Sequence, residues 1–347
     1  MPLKVVVIGA VALGPKAAVR LKRLVPDAEV TMIDRDALIS YGGCGIPYFI
    51  SGDVSDSEQL MTTSFHMVRD ERFFRKAKGV EVLTRTEALF IDRSNKKVRV
   101  RSLETGQERV LPYDKLVLAT GSRPNRLDVP GVELNRVFTV SSLGEAMKIK
   151  ALIAGGGVER AVIVGAGSIG LEMAEAMADL WGIETTVVEI ADQVLPGLVG
   201  PDLSRMVVAH LQDHEIEVLL SERVARLEGT ERVEHVVTDK RMIETDIVVM
   251  ATGVKPNADL AEEAGLELTD FGAIKVNSRF MTSDPDIYAG GDCVENMSLI
   301  TERPVYLPLG SLANRQGRII GTNLSGAVEE FDGVVGSYIL KVFDLTV

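Results

Sequence analysis

The sequence predicts an α/β protein with two three-layer domains, each built on a parallel sheet, and two internal duplications predict it. In the first, an apolar strand enters a glycine loop, a helix and a second strand that ends on an acid; this unit occurs twice in the chain. In the second, Leu118-Ala119-Thr120-Gly121-Ser122-Arg123-Pro124-Asn125 echoes Met250-Ala251-Thr252-Gly253-Val254-Lys255-Pro256-Asn257. Each copy reads as a strand end followed by a proline turn.

The elements follow in order. Lys4 to Ile8 is β-rich and runs into Gly9-Ala10-Val11-Ala12-Leu13-Gly14. Ala17 to Val25 reads as a helix, and Glu29 to Ile33 as the next strand, ending at Asp34. Lys97 to Arg101 and Glu108 to Leu111 alternate like strands of a small antiparallel insertion. Asp128 to Gly157, with Pro130-Gly131 and Gly155-Gly156-Gly157, reads as a linker. The second unit runs from Ala161 to Val164 through Gly165-Ala166-Gly167-Ser168-Ile169-Gly170, the helix Leu171 to Leu180 and the strand Thr185 to Val188, ending at Glu189. Beyond Asn257 the chain is expected to return to the first domain. There, Ile274 to Val276 and Ile287-Tyr288-Ala289 read as strands, the latter entering Gly290-Gly291-Asp292. Gly336 to Val347 alternates like one further strand.

Bulk properties narrow the function. A chain of 347 residues suggests ~2 to 3 domains. Its net charge of −12 disfavours a nucleic-acid partner or a basic membrane-docking surface. No apolar stretch is long enough to span a bilayer, and the N-terminus enters a strand without a signal-peptide pattern. Two cysteines and no CxxC exclude a disulfide framework, so a cytoplasmic location is expected. No metal site is expected. The four histidines (His66, His210, His214, His235) read as surface or helix-face residues.

The downstream loop is a full GxGxxG: Gly165 makes the turn, Gly167 admits a pyrophosphate and Gly170 lets helix pack on strand. Phosphates then meet the free N–H groups and positive dipole end of the helix. Glu189 lies 19 residues beyond Gly170, where a carboxylate binds ribose hydroxyls and repels a 2′-phosphate, which points to NADH. In the upstream loop Val11 replaces the middle glycine, while Asp34 keeps the spacing at 20 residues beyond Gly14. Two nucleotide sites suggest FAD in the first and NADH in the second. Gly291 and Asp292 can set a backbone amide and a carboxylate against a ribityl-diphosphate chain; an ordinary strand-ending turn is the alternative.

Cys44 stands in Ser40-Tyr41-Gly42-Gly43-Cys44-Gly45-Ile46-Pro47-Tyr48. Flanking glycines supply no side chains for core packing and admit a second molecule. A lone thiol beside redox nucleotides suggests electron transfer to a sulfur substrate. Cys293, directly after Gly-Gly-Asp, reads as a small buried residue.

Together these motifs resemble the flavoprotein disulfide reductases, or pyridine nucleotide–disulfide oxidoreductases, over almost the whole chain, including the Leu307-Pro308-Leu309-Gly310 to Gly317 segment. With no second cysteine near Cys44, the chain is similar to the single-cysteine branch, which holds coenzyme A disulfide reductases, NADH-dependent persulfide and polysulfide reductases, NADH oxidases and NADH peroxidases. The resemblance implies two Rossmann-like domains, FAD- and NAD-binding. It divides the chain into a first FAD-binding part at 1–118, an NAD(H)-binding domain with linker at 119–256, a second FAD-binding part at 257–332, and the start of a largely absent dimerisation domain at 333–347. A homodimer is expected where that domain is present.

The resemblance also implies residue roles. Cys44 is the catalytic thiol. Gly9, Ala12, Gly14, Asp34, Arg35, Thr120, Gly121, Arg123, Gly291, Asp292 and Leu309 fall to FAD. Gly165, Gly167, Ser168, Ile169, Gly170, Glu172, Glu189 and Gly253 fall to NAD, with Glu172 near the nicotinamide. Lys16, Arg20 and Arg23 match basic residues for coenzyme A phosphates, with Ser40 and Gly43 near the thiol; by spacing alone the cations better suit a solvated helix face, and the resemblance sets the two readings level. Oxidases and peroxidases usually carry a histidine where this chain has Ala12. Several coenzyme A disulfide reductases have asparagine at Gly43, and several relatives have a gating aromatic at Ser168. The expected activity is an FAD-dependent, NADH-using reductase of a small disulfide or persulfide. An NADH oxidase or peroxidase, or an electron-transfer flavoprotein serving a partner protein, are the alternatives.

Overall fold

Side-chain alternation along Lys4–Ile8 sets up the first domain. In this computed structural model, which describes residues 1–347, Val5 and Val7 bury themselves on one face of the strand while Val6 and Ile8 bury themselves on the other. A strand buried on both faces belongs inside a parallel sheet covered on both sides. The sheet runs Ile287–Ala289, Lys115–Leu118, Lys4–Ile8, Glu29–Ile33, Glu81–Leu83, with every neighbouring pair parallel. One face is covered by the helices Leu13–Leu24 and Gly310–Leu324. The other packs on the antiparallel insertion Thr86–Asp92, Lys97–Ser102, Glu108–Pro112 and on the short helix Asp259–Glu263.

The two covering helices approach backbone to backbone. A Cβ added to Gly317 would stand 2.6 Å from the Leu13 carbonyl oxygen, and one added to Gly321 would stand 2.6 Å from that of Ala17. Glycines four apart on one face therefore permit this crossing, as small residues do wherever helices pack closely.

The second domain repeats the plan. Its parallel sheet runs Glu217–Leu219, Glu184–Val188, Arg160–Val164, Ile247–Met250, Val137–Thr139. Val162, Val164, Val248 and Met250 pack with Val224, Leu227 and Val236 of an antiparallel sheet, Val224–Glu228, His235–Thr238, Met242–Glu244.

The structure separates two compact units: residues 1–43, 58–123 and 255–336, and residues 44–57, 124–254 and 337–347. Segments 44–57 and 337–347 thus go with the second unit rather than where the sequence placed them. Within the first unit, Thr120 Oγ1 donates to the Asn257 carbonyl (2.6 Å) and the Asn257 N–H to the Gly121 carbonyl (2.9 Å). The second unit repeats the clasp, with Thr252 Oγ1 donating to the Asn125 carbonyl (2.8 Å) and the Asn125 N–H to the Gly253 carbonyl (2.9 Å). The duplicated Ala-Thr-Gly and Pro-Asn runs therefore interlock, each asparagine closing the strand end of the other copy.

Three expectations change. The supposed linker contains the strand Val137–Thr139 and the helix Leu143–Ala154. Ser142 caps that helix by accepting the Glu145 N–H (3.2 Å), and the Glu145 carboxylate takes the Thr139 and Ser141 N–H groups. Ser-x-x-Glu before an apolar run is a helix-start signal that the flanking glycines obscured. Ile274 to Val276 is no strand; Ile274 makes only isolated bridges. The segment read as one strand after Gly336 is a tight hairpin, Lys341–Val342 with Leu345–Thr346.

Gly321→Ala is expected to lower stability by about 1–3 kcal/mol, because the helices must separate to admit the methyl group. Gly43→Ala, whose Cβ meets nothing within 4 Å, is the neutral control. Urea unfolding with unchanged m-value checks both.

Candidate functional site

Each domain ends its first strand in the same loop, down to the atom. The Gly9 N–H donates to the Ile33 carbonyl (2.8 Å) and the Gly165 N–H to that of Val188 (2.8 Å). The Ala119 N–H donates to the Ile8 carbonyl (2.8 Å), and the Ala251 N–H to that of Val164 (2.8 Å). Gly9 and Gly165 turn with φ of +108° and +104°, open to glycine and strained for other residues. A Cβ on Gly14 or Gly170 would sit 1.9 Å from the carbonyl oxygen of Gly9 or Gly165. Helix and loop are thus in backbone contact.

The acids complete the loops. Asp34 accepts the Ala10 N–H (2.7 Å) on one oxygen and the Asp36 N–H (2.9 Å) on the other. Glu189, itself buried, accepts the Ala166 N–H (2.6 Å) and the Ala191 N–H (2.8 Å) in the same way. The carboxylates therefore fix the loops, and each keeps lone pairs for a further donor. Burial raises the Asp34 pKa, and the two backbone bonds oppose that shift.

These residues fit dinucleotides. The space around Gly167 is open to 4 Å, as close approach of a pyrophosphate requires, while Gly165 and Gly170 are sterically obligatory. Ser168 and Ile169 start the Ser168–Ala178 helix, whose first turn lacks a side-chain cap, so its N–H groups are free for an anion. At the first loop Ala12 occupies the N-cap position of Leu13–Leu24, also without a side-chain cap. Gly291 takes φ +78° and donates its N–H to Gln316 Oε1 (2.6 Å). Asp292 beside it is mostly buried, its pKa raised by that burial, and accepts only a long bond from Ser122 Oγ (3.2 Å). Leu309 precedes the Gly310–Leu324 helix as its N-cap. Arg35 is exposed next to Asp34. Arg123 binds Asp259 Oδ1 through Nη2 (2.8 Å) and Asn257 Oδ1 through Nη1 (3.1 Å).

The predicted cations divide. Lys16 has its pKa lowered, first by burial and then by Arg318, Arg69 and Arg23. Arg69 and Arg318 escaped the sequence reading because they lie far from the first helix along the chain. Arg20 is instead turned to the Gly310–Leu324 helix, its Nε donating to Thr322 Oγ1 (3.1 Å). Ser40 is buried with φ +52°, its N–H bonded to the Ala10 carbonyl (2.8 Å).

Cys44 is exposed in the 3₁₀ turn Gly43–Gly45, and Cys293 is fully buried. The following helix, Ile46–Ser51, is held to the second unit by Trp181 Nε1 donating to the Ile50 carbonyl (2.8 Å). Lys150 adds a bond to the Val54 carbonyl (3.0 Å) and lies over the Phe49 ring (4.2 Å to its centroid). On this helix Tyr48 has its phenol pushed up by burial, then by Glu172, Glu175, Asp53 and Cys44. Glu172, Glu175, Asp53 and Cys44 thus all act electrostatically on the Tyr48 phenol. Glu172 is raised from 4.5 to about 7, by desolvation first and Glu175 second.

Residues 3–305 match the pyridine nucleotide-disulphide oxidoreductase family. The chain belongs to that family. Among solved structures it superposes on an NAD-dependent persulfide reductase from A. fulgidus with a TM-score of 0.96 and 42% identity, covering 99% of this chain and 63% of that one. It is 35% identical to an NAD(P)H coenzyme A polysulfide/persulfide reductase from Pyrococcus horikoshii, over 100% of this chain and 75% of the relative. It is likewise 35% identical to an NADH oxidase from Methanocaldococcus jannaschii, over 99% and 75%. As an oxidoreductase of this family it uses FAD and a pyridine nucleotide. No helix is long and apolar enough to cross a membrane.

Glu172 carries a pH dependence. The folded protein holds its proton up to about 7 and an ordinary carboxyl releases it near 4.5, so folding binds a proton between these values. Stability is then highest below pH 4.5 as regards this group and falls as pH rises towards 7. Glu172→Gln should flatten that slope and raise the melting temperature at pH 8 but not at pH 4; parallel slopes in both proteins would refute the assignment.

Proposed function

We propose that this protein is an NADH-using, FAD-dependent reductase of a low-molecular-weight disulfide or persulfide, with Cys44 as its single redox thiol. The carrying observation is the setting of Cys44: an exposed sulfur on a bare glycine turn, in a chain whose other thiol is sealed in the core. Coenzyme A disulfide, coenzyme A persulfide and polysulfide are the substrates of choice. The names of the A. fulgidus and P. horikoshii relatives favour them, and Lys16, Arg23, Arg69 and Arg318 offer clustered positive charge to phosphates. NADH is preferred, because the buried Glu189 carboxylate opposes a 2′-phosphate.

The Cys44 thiolate attacks one sulfur of the substrate. That sulfur–sulfur bond breaks, one thiol leaves as thiolate and Cys44 is held in a mixed disulfide. A flavin held at the Gly9 loop would, once reduced by hydride from the nicotinamide, supply two electrons. Two electrons and one proton convert the mixed disulfide back to Cys44 thiolate and a second free thiol. Glu172, its carboxyl raised to about 7 by desolvation and then by Glu175, keeps a proton available on the unit that carries Cys44 near neutral pH. Asp34 and Glu189 hold the loops in shape for the two nucleotides, and Gly43 leaves the approach to sulfur unobstructed.

The M. jannaschii relative favours a second reading, an NADH oxidase. Ala12 weighs against it, because this loop then offers no acid–base side chain. We further place the protein in the cytoplasm, on its two unpaired cysteines, and propose a homodimer.

The test is anaerobic turnover of coenzyme A disulfide, faster with NADH than with NADPH and reduced by several orders of magnitude in Cys44→Ser that retains FAD. Full turnover in Cys44→Ser would overturn the proposal; stoichiometric NADH consumption by oxygen alone would install the oxidase reading.

A further inference from the structure

His210 and His214 lie one helical turn apart at the end of the Pro201–Asp213 helix, and therefore on one face. Phe343, in the turn of the C-terminal hairpin, stacks on the His214 ring with centroids 3.8 Å apart and planes 14° from parallel. This contact brings the neighbouring Asp344 to His210, Oδ1 lying 3.0 Å from Nε2. That Nε2 is shielded from solvent and makes no well-directed hydrogen bond. The Nδ1 of His214 lies 2.9 Å from the His210 carbonyl oxygen. A carbonyl only accepts, so Nδ1 carries the proton and Nε2 of His214 presents a lone pair. Histidines that bind metal are oriented in this way, one nitrogen donating to a carbonyl and the other on the ion.

One ligand atom from each of the three residues lies within 4.8 Å of the others. Around a tetrahedral zinc ion such atoms stand about 3.3 Å apart, so modest side-chain rotation closes the set. We propose that His210, His214 and Asp344 bind one divalent cation of the zinc class, which staples the hairpin to the helix. Two imidazoles with one carboxylate suit such an ion, whereas magnesium and calcium favour all-oxygen sets. Water would fill the fourth position. The site lies in the second unit and uses neither Cys44 nor the nucleotide loops, so it stands independently of the proposed activity.

The test uses untagged, FAD-loaded protein stripped of metal, titrated with Zn²⁺ by calorimetry and with Co²⁺ by visible spectroscopy. One equivalent should bind with a tetrahedral cobalt spectrum and raise the melting temperature. His214→Ala should weaken binding by at least about tenfold and Asp344→Asn should weaken it as well. Flavin absorbance and circular dichroism establish that these variants fold. Undiminished uptake in the His210→Ala/His214→Ala double variant, a thiolate-to-cobalt band, or no uptake at all would each overturn the proposal. The last result would leave a metal-free clasp of imidazole, ring stack and carboxylate.

Discussion

The closure of glycine loop on helix, backbone against backbone, is the constraint on which the molecule depends. With 1.9 Å between a would-be Cβ and a carbonyl oxygen, Gly14 and Gly170 admit no other residue without moving the helix. That closeness seats the helix N-terminus at the sheet edge and points its free N–H groups where an anionic linkage arrives. It also lets a carboxylate from the neighbouring strand reach back to the loop. Asp34 and Glu189 do so with the same pair of backbone partners in each domain. The loops are consequently pre-shaped, and a nucleotide need not order them.

A second constraint concerns the thiol. Cys44 follows a segment of the first unit in sequence, yet the structure groups it with the second. The helix after it owes this allegiance to Trp181, Lys150 and the burial of Phe49 and Ile50. The sulfur therefore belongs to the body that carries the Gly165 loop and Glu172. In the same unit, desolvation first and the neighbouring Glu175 second raise the Glu172 carboxyl.

Much of this was legible in the chain. Strand, loop and helix follow one another locally, so Gly165 to Glu189 and Gly9 to Asp34 declared their geometry through spacing alone. The Ala-Thr-Gly repeat was visible, but its interlock was not, because Thr120 finds Asn257 far along the chain. Arg69 and Arg318 were missed for the same reason: nothing local marks a cation that gathers with Lys16 only after folding. The pairing of Arg123 with Asp259 was likewise hidden, since a guanidinium takes a well-placed carboxylate that folding brings to it from far along the chain. The linker reading failed on composition. Glycines at its edges outweighed a capping pair, Ser142 and Glu145, that announced the Leu143–Ala154 helix.

The bare turn around Cys44 also bears on the durability of the thiol. With no side chains rising from Gly43 or Gly45, nothing in the turn screens the sulfur from small oxidants. Sulfenic acid forms first and is rescued by condensation with a thiol; the sulfinic acid beyond it is not. This chain offers no internal rescuer, because Cys293 is sealed in the core. Protection against that dead end falls to free small thiols in solution, which are also the products the proposed reaction releases.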